Sequence, residues 1–325
     1  MKQMLSRRVV MSSVALACAV LMSPVALAQT KSVGITAYVD HPALDAARKG
    51  VEDELKALGW ESGKNLKLQY QSAQGNAATT GQIAKKFVGD KVDAIVAIAT
   101  PSAQAAAAAT RSIPLVYAAV TDPVAAKLVK GMGPSGTNVT GVSDALPLAP
   151  QIELIKKIKP SAKKVGMVYS PGEVNSTIVV KELKAELAKH GMTLVEAAAP
   201  RTVDVGSAAK SLVGKVDVIY TSTDNNVVST YESMVAVARD AKIPLVASDP
   251  DSVKRGAVAA LGMNYYDMGR QAGKIVNRIL KGEKVGAIAS EVGNKTTLVL
   301  NETAAGQQGV TLSDALRKEA EEIIK

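Results

Sequence analysis

The sequence predicts an α/β protein of two similar, doubly wound lobes, and two observations carry that prediction. First, the chain repeats itself. Val33-Gly34-Ile35 and Val165-Gly166-Met167 open apolar strands, each followed by a helical stretch that stops at a glycine, Gly59 or Gly191, with both pairs 132 residues apart. Lys91-Val92-Asp93-Ala94-Ile95 matches Lys215-Val216-Asp217-Val218-Ile219, and Ile113-Pro114-Leu115-Val116 matches Ile243-Pro244-Leu245-Val246, at offsets of 124 and 130 as loops change length. Second, short apolar runs alternate with amphipathic helical stretches, the pattern of parallel sheets covered on both faces.

Taken in order, the first copy predicts strands at 33–38, 66–71, 94–99 and 115–119, with helices at 42–58, 77–88 and 101–110. The helix at 77–88 carries Ile83, Phe87 and Val88 on one side, and the one at 101–110 is alanine-rich. The second copy predicts strands at 165–169, 193–197, 218–221 and 245–247, with helices at 176–189, 205–212 and 227–240. A strand near 257–261, a helix from about 266 to 280 and an amphipathic helix from Ser313 lie outside the repeat, and are expected to cross back between the lobes.

The N-terminus reads as an export signal. Lys2, Arg7 and Arg8 form a positive region, Val9 to Met22 an apolar core broken by Ser12 and Ser13, and Ala26-Leu27-Ala28 a cleavage pattern before Gln29. The core falls short of a membrane span, and no later segment approaches one. Cleavage removes the only cysteine, Cys18, and leaves 297 residues with a formal charge of +6. A chain of that length needs no disulfides to hold a core. Its basic residues are interleaved with acidic ones, as in Lys181-Glu182-Leu183-Lys184-Ala185-Glu186, and only 3% of residues are aromatic, which argues against nucleic acid as a partner.

Candidate site residues gather where strands end. Asp40-His41-Pro42, Thr100-Pro101-Ser102, Thr121-Asp122-Pro123 and Asp249-Pro250-Asp251 each place a polar residue before proline, the signature of a capped helix start. Such caps occur in most α/β proteins, but here they would face one cleft, where free amides suit an anion. Thr223-Asp224-Asn225-Asn226 occupies in the second copy the place of Ala99-Thr100-Pro101-Ser102 in the first. A hydroxyl cluster thus faces a carboxylate, an asymmetry suited to a zwitterion with its carboxylate on Thr100 and Ser102 and its ammonium on Asp224. The long loop Ser170–Ser176 adds Asn175 and Ser176, and His41 stands at the cleft mouth.

These segments, together with Asn138-Val139-Thr140-Gly141-Val142-Ser143 and the Gly262–Asp267 stretch, resemble the type I periplasmic solute-binding proteins of ABC transporters, specifically the family with tryptophan- and tyrosine-binding members. The resemblance implies two Rossmann-like lobes joined by a three-segment hinge, closing on a small ligand and delivering it to a membrane permease. It maps Thr100, Ser102, Asn175, Ser176 and Asp224 onto ligand contacts, with Tyr38, Thr121, Ser143 and Asp249 as further candidates. With links near Gly141, Leu261 and Lys295, lobe 1 is expected to hold residues 29–142 plus about 263–292, and lobe 2 residues 143–262 plus about 293–325.

Catalytic readings find little. Gly131-Met132-Gly133-Pro134-Ser135-Gly136 has dinucleotide-fingerprint spacing but follows a helical stretch and contains a proline, so it reads as a loop. Gly141-Val142-Ser143-Asp144-Ala145 stops short of a hydrolase elbow. Two histidines, His41 and His190, and no mature cysteine assemble no metal cluster of ordinary spacing, so no metal or cofactor is expected. The expectation is a monomeric, periplasmic, non-enzymatic binding protein for a small polar ligand, an amino acid foremost, with aromatic and branched side chains among the candidates. The alternatives are a secreted hydrolase using Asp224 as base, or a ligand-loaded sensor.

Overall fold

Apolar runs without a polar break become the central strands. The computed structural model describes residues 30–325, so the export signal and Cys18 lie outside the described residues. The first sheet is built from β1 (Lys31–Ala37), β2 (Leu66–Ser72), β3 (Ala94–Ile98), β4 (Leu115–Val120) and β5 (Val139–Ser143), joined through α1 (Pro42–Ala57), α2 (Ala77–Gly89) and α3 (Thr100–Ala109). β3, β4 and β5 are buried along their whole length, as strands covered on both faces must be.

The chain then passes through residues 144–147 into α4 (Leu148–Ile158) and the second sheet. That sheet holds β6 (Lys164–Tyr169), β7 (Thr193–Ala198), β8 (Val218–Thr221), β9 (Leu245–Ala247) and β10 (Ala259–Met263). Between them run α5 (Val174–Lys189), α6 (Val205–Ser211), α7 (Asn225–Ser229), α8 (Tyr231–Ala241) and α9 (Pro250–Lys254). At Asn264 the chain returns to the first lobe, adding α10 (Tyr265–Leu280) and β11 (Glu291–Val292). Residues 293–295 cross once more, and β12 (Thr296–Asn301), α11 (Glu302–Gln307), α12 (Asp314–Glu319) and β13 (Glu322–Ile324) complete the second lobe.

The sheet orders are β11-β5-β4-β3-β1-β2 and β13-β12-β10-β9-β8-β6-β7. Each contains the same five-strand reversal, with β1 between β2 and β3 and β6 between β7 and β8. The repeat in the sequence is therefore a repeat of topology, and each lobe has its own switch point. All ladders are parallel except β10 with β12, so the second sheet departs from the purely parallel expectation at its late edge.

One contact fixes the late helix on the first lobe. α10 buries Met268, Ala272, Ile275, Val276 and Ile279 against α1. A Cβ on Gly269 would stand 2.0 Å from the Ala47 carbonyl oxygen, and one on Gly50 would stand 2.1 Å from the Tyr266 oxygen. The helices thus meet backbone to backbone, an approach that only glycine permits. Arg270 pairs there with the buried Glu54 at 2.7 Å.

Two local expectations are corrected. The stretch 227–240 is two helices, because the Ser229 and Thr230 hydroxyls both donate to the Asn226 carbonyl (3.0 and 2.9 Å) and Thr230 leaves helical geometry before α8 begins. Thr121-Asp122-Pro123 opens a turn rather than a helix. Asp122 Oδ1 accepts from Val124 N and Ala125 N (2.9 and 2.8 Å), and Lys127 at φ 60° stops propagation.

Candidate functional site

The two switch points face each other. In the first lobe, β1 leads to His41 at the start of α1 and β3 leads to Thr100 at the start of α3. In the second, β6 leads through Ser170–Glu173 to α5, and β8 through Ser222–Asp224 to α7. Ligands in open α/β sheets bind at such points, and here both border one narrow cavity. The first lobe lines it with His41, Thr100 and Thr121, the second with Asn175, Asn225 and Asp249, and the crossovers with Asp144 and Tyr265. Its volume is about 10 Å³, the space of roughly one water.

Its first-lobe wall is a donor surface. The cap position of α3 is Ala99, at φ 75° and with no side-chain cap, while Thr100 already lies within the helix. The first-turn amides therefore lack the partner a serine or aspartate cap would give them. The Thr100 and Ser102 hydroxyls, 2% and 0% exposed, have no hydrogen-bond partner either. This helix start is ready for an anion. At α1, by contrast, His41 Nδ1 accepts from Leu44 N at 3.4 Å. Burial, and then the Arg255 charge across the cleft, lowers the His41 pKa to about 3, so the ring is neutral. Asp40 turns away to the Tyr70 hydroxyl at 2.8 Å.

The second-lobe wall is acidic, but its acids are engaged differently from the expectation. Asp224 accepts from Ser170 N (2.6 Å), Ser170 Oγ (2.8 Å), Val227 N (3.0 Å) and Ser176 Oγ. Its charge is met by four donors of its own lobe, and it does not line the narrow cavity. The ammonium expected to meet Asp224 would therefore share that carboxylate with four donors already in place, and Ser176, also expected at the ligand, is one of them.

Nearby, Glu173 Oε2 accepts from Asn175 Nδ2 at 3.0 Å and from Asn225 Nδ2, while Glu173 Oε1 and Asn175 Oδ1 are buried without partners. Burial, then the Asp224 charge, raises the Glu173 pKa to about 7. Burial likewise raises Asp249 to about 6, against the pull of Ser252, whose amide and hydroxyl reach its two oxygens at 2.8 and 2.6 Å. Asp144 is also raised by burial. Its Oδ2 accepts the Tyr265 hydroxyl at 2.6 Å, and its Oδ1 has no partner.

Five expected residues, His41, Thr100, Thr121, Asn175 and Asp249, thus border one cavity. Ser102 lies just behind Thr100 on α3. Ser143 donates to the Thr121 carbonyl at 3.1 Å and borders a second cavity on the hinge side. Tyr38 donates to the Gly75 carbonyl at 2.9 Å; burial, and then the Glu173 and Asp224 charges across the cleft, raise its pKa. Sequence reasoning missed Glu173, Asp144, Thr223, Asn225 and Tyr265. All stood within segments it singled out, and Glu173 was passed over as a charge in a loop chosen for its amides and hydroxyls. Among the described residues no group of His, Cys, Asp and Glu is placed to hold a metal ion.

The model of the family described as ABC transporter substrate binding protein matches residues 32–324. A curated relative, the tyrosine-binding protein of Clostridioides difficile, is 44% identical over 272 residues, covering 84% of this chain and 79% of its own length. Among solved structures, a Streptococcus pneumonia ABC domain in complex with L-Trp is 34% identical, with a TM-score of 0.88 over 91% of this chain and 100% of its own. The ligand-free, open structure of a substrate binding protein with adhesive properties from Clostridium difficile is 39% identical, covering 91% of this chain and 99% of its own, yet its TM-score is only 0.69. The structure described here thus superimposes more closely on the liganded neighbour than on the open one, against the order of sequence identity.

Proposed function

The chain belongs to the family of ABC transporter substrate-binding proteins, and on that premise we propose that it closes its lobes on an α-amino acid and presents it to a membrane permease. The observation that carries this reading is the charge layout of the narrow cavity. One wall is the uncapped start of α3 with two unpartnered hydroxyls. The rest of the lining includes Asp144 and Asp249 and no Lys or Arg. A carboxylate is favoured at the helix start. An ammonium is favoured where Asp144 Oδ1 and Asn175 Oδ1 wait without partners, since a buried acceptor left unmet is costly. Only a ligand carrying both groups satisfies both walls, and the relatives named for tyrosine and bound to L-Trp support an aromatic amino acid. Work outside the cytoplasmic membrane accords with the family and with the export signal read in residues 1–28. Among the described residues no helix is long and apolar enough to cross a membrane. We place the protein in the periplasm as a monomer.

The test is a melting-shift screen of the twenty L-amino acids, followed by calorimetric titration. A ligand at a hundredfold excess over its dissociation constant adds about 2.7 kcal/mol to stability. If no amino acid shifts the transition, the reading is wrong.

A further inference from the structure

The narrow cavity cannot hold a whole amino acid as the lobes stand, but it has a neighbour. A second cavity, about 260 Å³ on the same measure, lies on the hinge side and shares Thr121, Asp144 and Thr223 with the first. Most of its wall is apolar, from Leu146 in the first crossover, Leu148 at the start of α4, Ile178 and Val179 on α5, and the ring of Tyr220 on β8, with Asp122 and Glu182 also lining it. Its second-lobe wall also includes Ser222 and Ser248, 4% and 3% exposed; the Ser222 hydroxyl has no hydrogen-bond partner, and the Ser248 hydroxyl has only the Tyr220 hydroxyl within weak reach. Buried hydroxyls at the side of an apolar chamber are costly unless an occupant meets them.

Resting on the amino-acid reading above, we infer that this hinge-side cavity receives the ligand's side chain, and that Ser222 and Ser248 select a bulky apolar side chain with one hydrogen-bonding group at its tip. The shared wall gives the geometry. An ammonium on Asp144 Oδ1 sets the ligand's α-carbon where the two cavities adjoin. Its carboxylate then points to α3 on one side and its side chain into the larger chamber on the other. Ile178 and Tyr220 come from the second lobe and Thr121 from the first, so a side chain seated there touches both lobes at once.

Calorimetric titration of the full mature chain with L-alanine, L-phenylalanine and L-tyrosine tests this. Ile178→Trp, which fills the chamber from α5, should weaken L-phenylalanine and L-tyrosine at least about tenfold more than L-alanine. The Ser222→Ala/Ser248→Ala pair should lower L-tyrosine affinity about tenfold and erase its advantage over L-phenylalanine, because a site built to bond a hydroxyl discriminates through that bond. Thr100→Ala, at the head-group end, should weaken all three alike. Equal losses for all three ligands in Ile178→Trp, or an unchanged tyrosine-to-phenylalanine ratio in the serine pair, would overturn the inference while leaving the amino-acid reading intact. A wild-type protein that binds no amino acid overturns both. Unfolding midpoints of the unliganded variants check that each is folded, and the serine pair decides alone if Ile178→Trp is not.

Discussion

Tyr265 donates its hydroxyl to Asp144 Oδ2 at 2.6 Å, and the two residues belong to two different crossovers, Asp144 opening the first and Tyr265 directly following the second. One buried hydrogen bond therefore ties two of the three hinge segments together. Tyr265→Phe removes the shortest hydrogen bond this buried carboxylate receives among the described residues, leaving it to the weaker reach of Thr121 and Thr223. Chemical denaturation should show a loss of about 1 to 3 kcal/mol, and ligand affinity should fall as the hinge loosens. Unchanged stability would mean that Asp144 is met by other groups.

Asp224 supplies the second prediction. With four donors aimed at it, Asp224→Asn turns an amide group toward at least one of them. Stability without ligand should drop by about 1 to 3 kcal/mol. Affinity for an amino acid should change less than it does on replacing Asp144 or Thr100. A loss confined to affinity, with unfolding unaffected, would return Asp224 to the ligand.

The pH dependence follows from Glu173. Its folded pKa of about 7 lies above the ordinary 4.5, because burial and the Asp224 charge disfavour ionisation. The folded state thus holds a proton that the unfolded state releases first. Stability from this group is fully present below about pH 4.5 and is lost as pH rises toward 7, by an amount on the order of 2 to 3 kcal/mol. Glu173→Gln, which keeps an acceptor for Asn175 and Asn225, should flatten that part of the unfolding profile. An identical slope in the variant would rule the assignment out.

Closure is the fourth expectation. The lobe arrangement resembles the L-Trp complex more than the open, ligand-free neighbour, so ligand should shift an open population toward the arrangement described here. Solution scattering should show a smaller radius of gyration with saturating ligand. The same radius in both states would contradict a moving hinge.

The fifth concerns the α1–α10 contact. Gly269→Ala pushes a methyl group onto the Ala47 carbonyl, and overpacking of this kind costs about 1 to 3 kcal/mol or more. Thermal unfolding should shift down, with amino-acid binding at permissive temperature retained.

Much of the frame was legible because central strands such as β3 and β4 are unbroken apolar runs and helices such as α1 and α9 begin at recognisable caps. β12 was not, since Thr296-Thr297 opens it with polar residues and it runs against β10 instead of following a crossover helix. β11 has only two residues and no pattern to read. At the site, residues such as Thr100 and Asn175 could be chosen because strand ends announce themselves. Which carboxylate is free could not, because that depends on donors far away in the chain. Ser170 reaches Asp224 across 54 residues, whereas Asp144 finds its shortest donor, Tyr265, 121 residues later.

The packing of α10 on α1 has a consequence for the order in which the molecule can be made. The first lobe begins at the N-terminal end of the chain, yet the helix that covers the apolar face of α1 is not synthesised until residue 280. Until then α1 has no partner for that face, and β5 lacks its edge neighbour β11. A ribosome-bound or partly translocated chain thus carries a first lobe that cannot finish folding by itself. The late return of the chain delays compaction of the first lobe until α10 and β11 have been made.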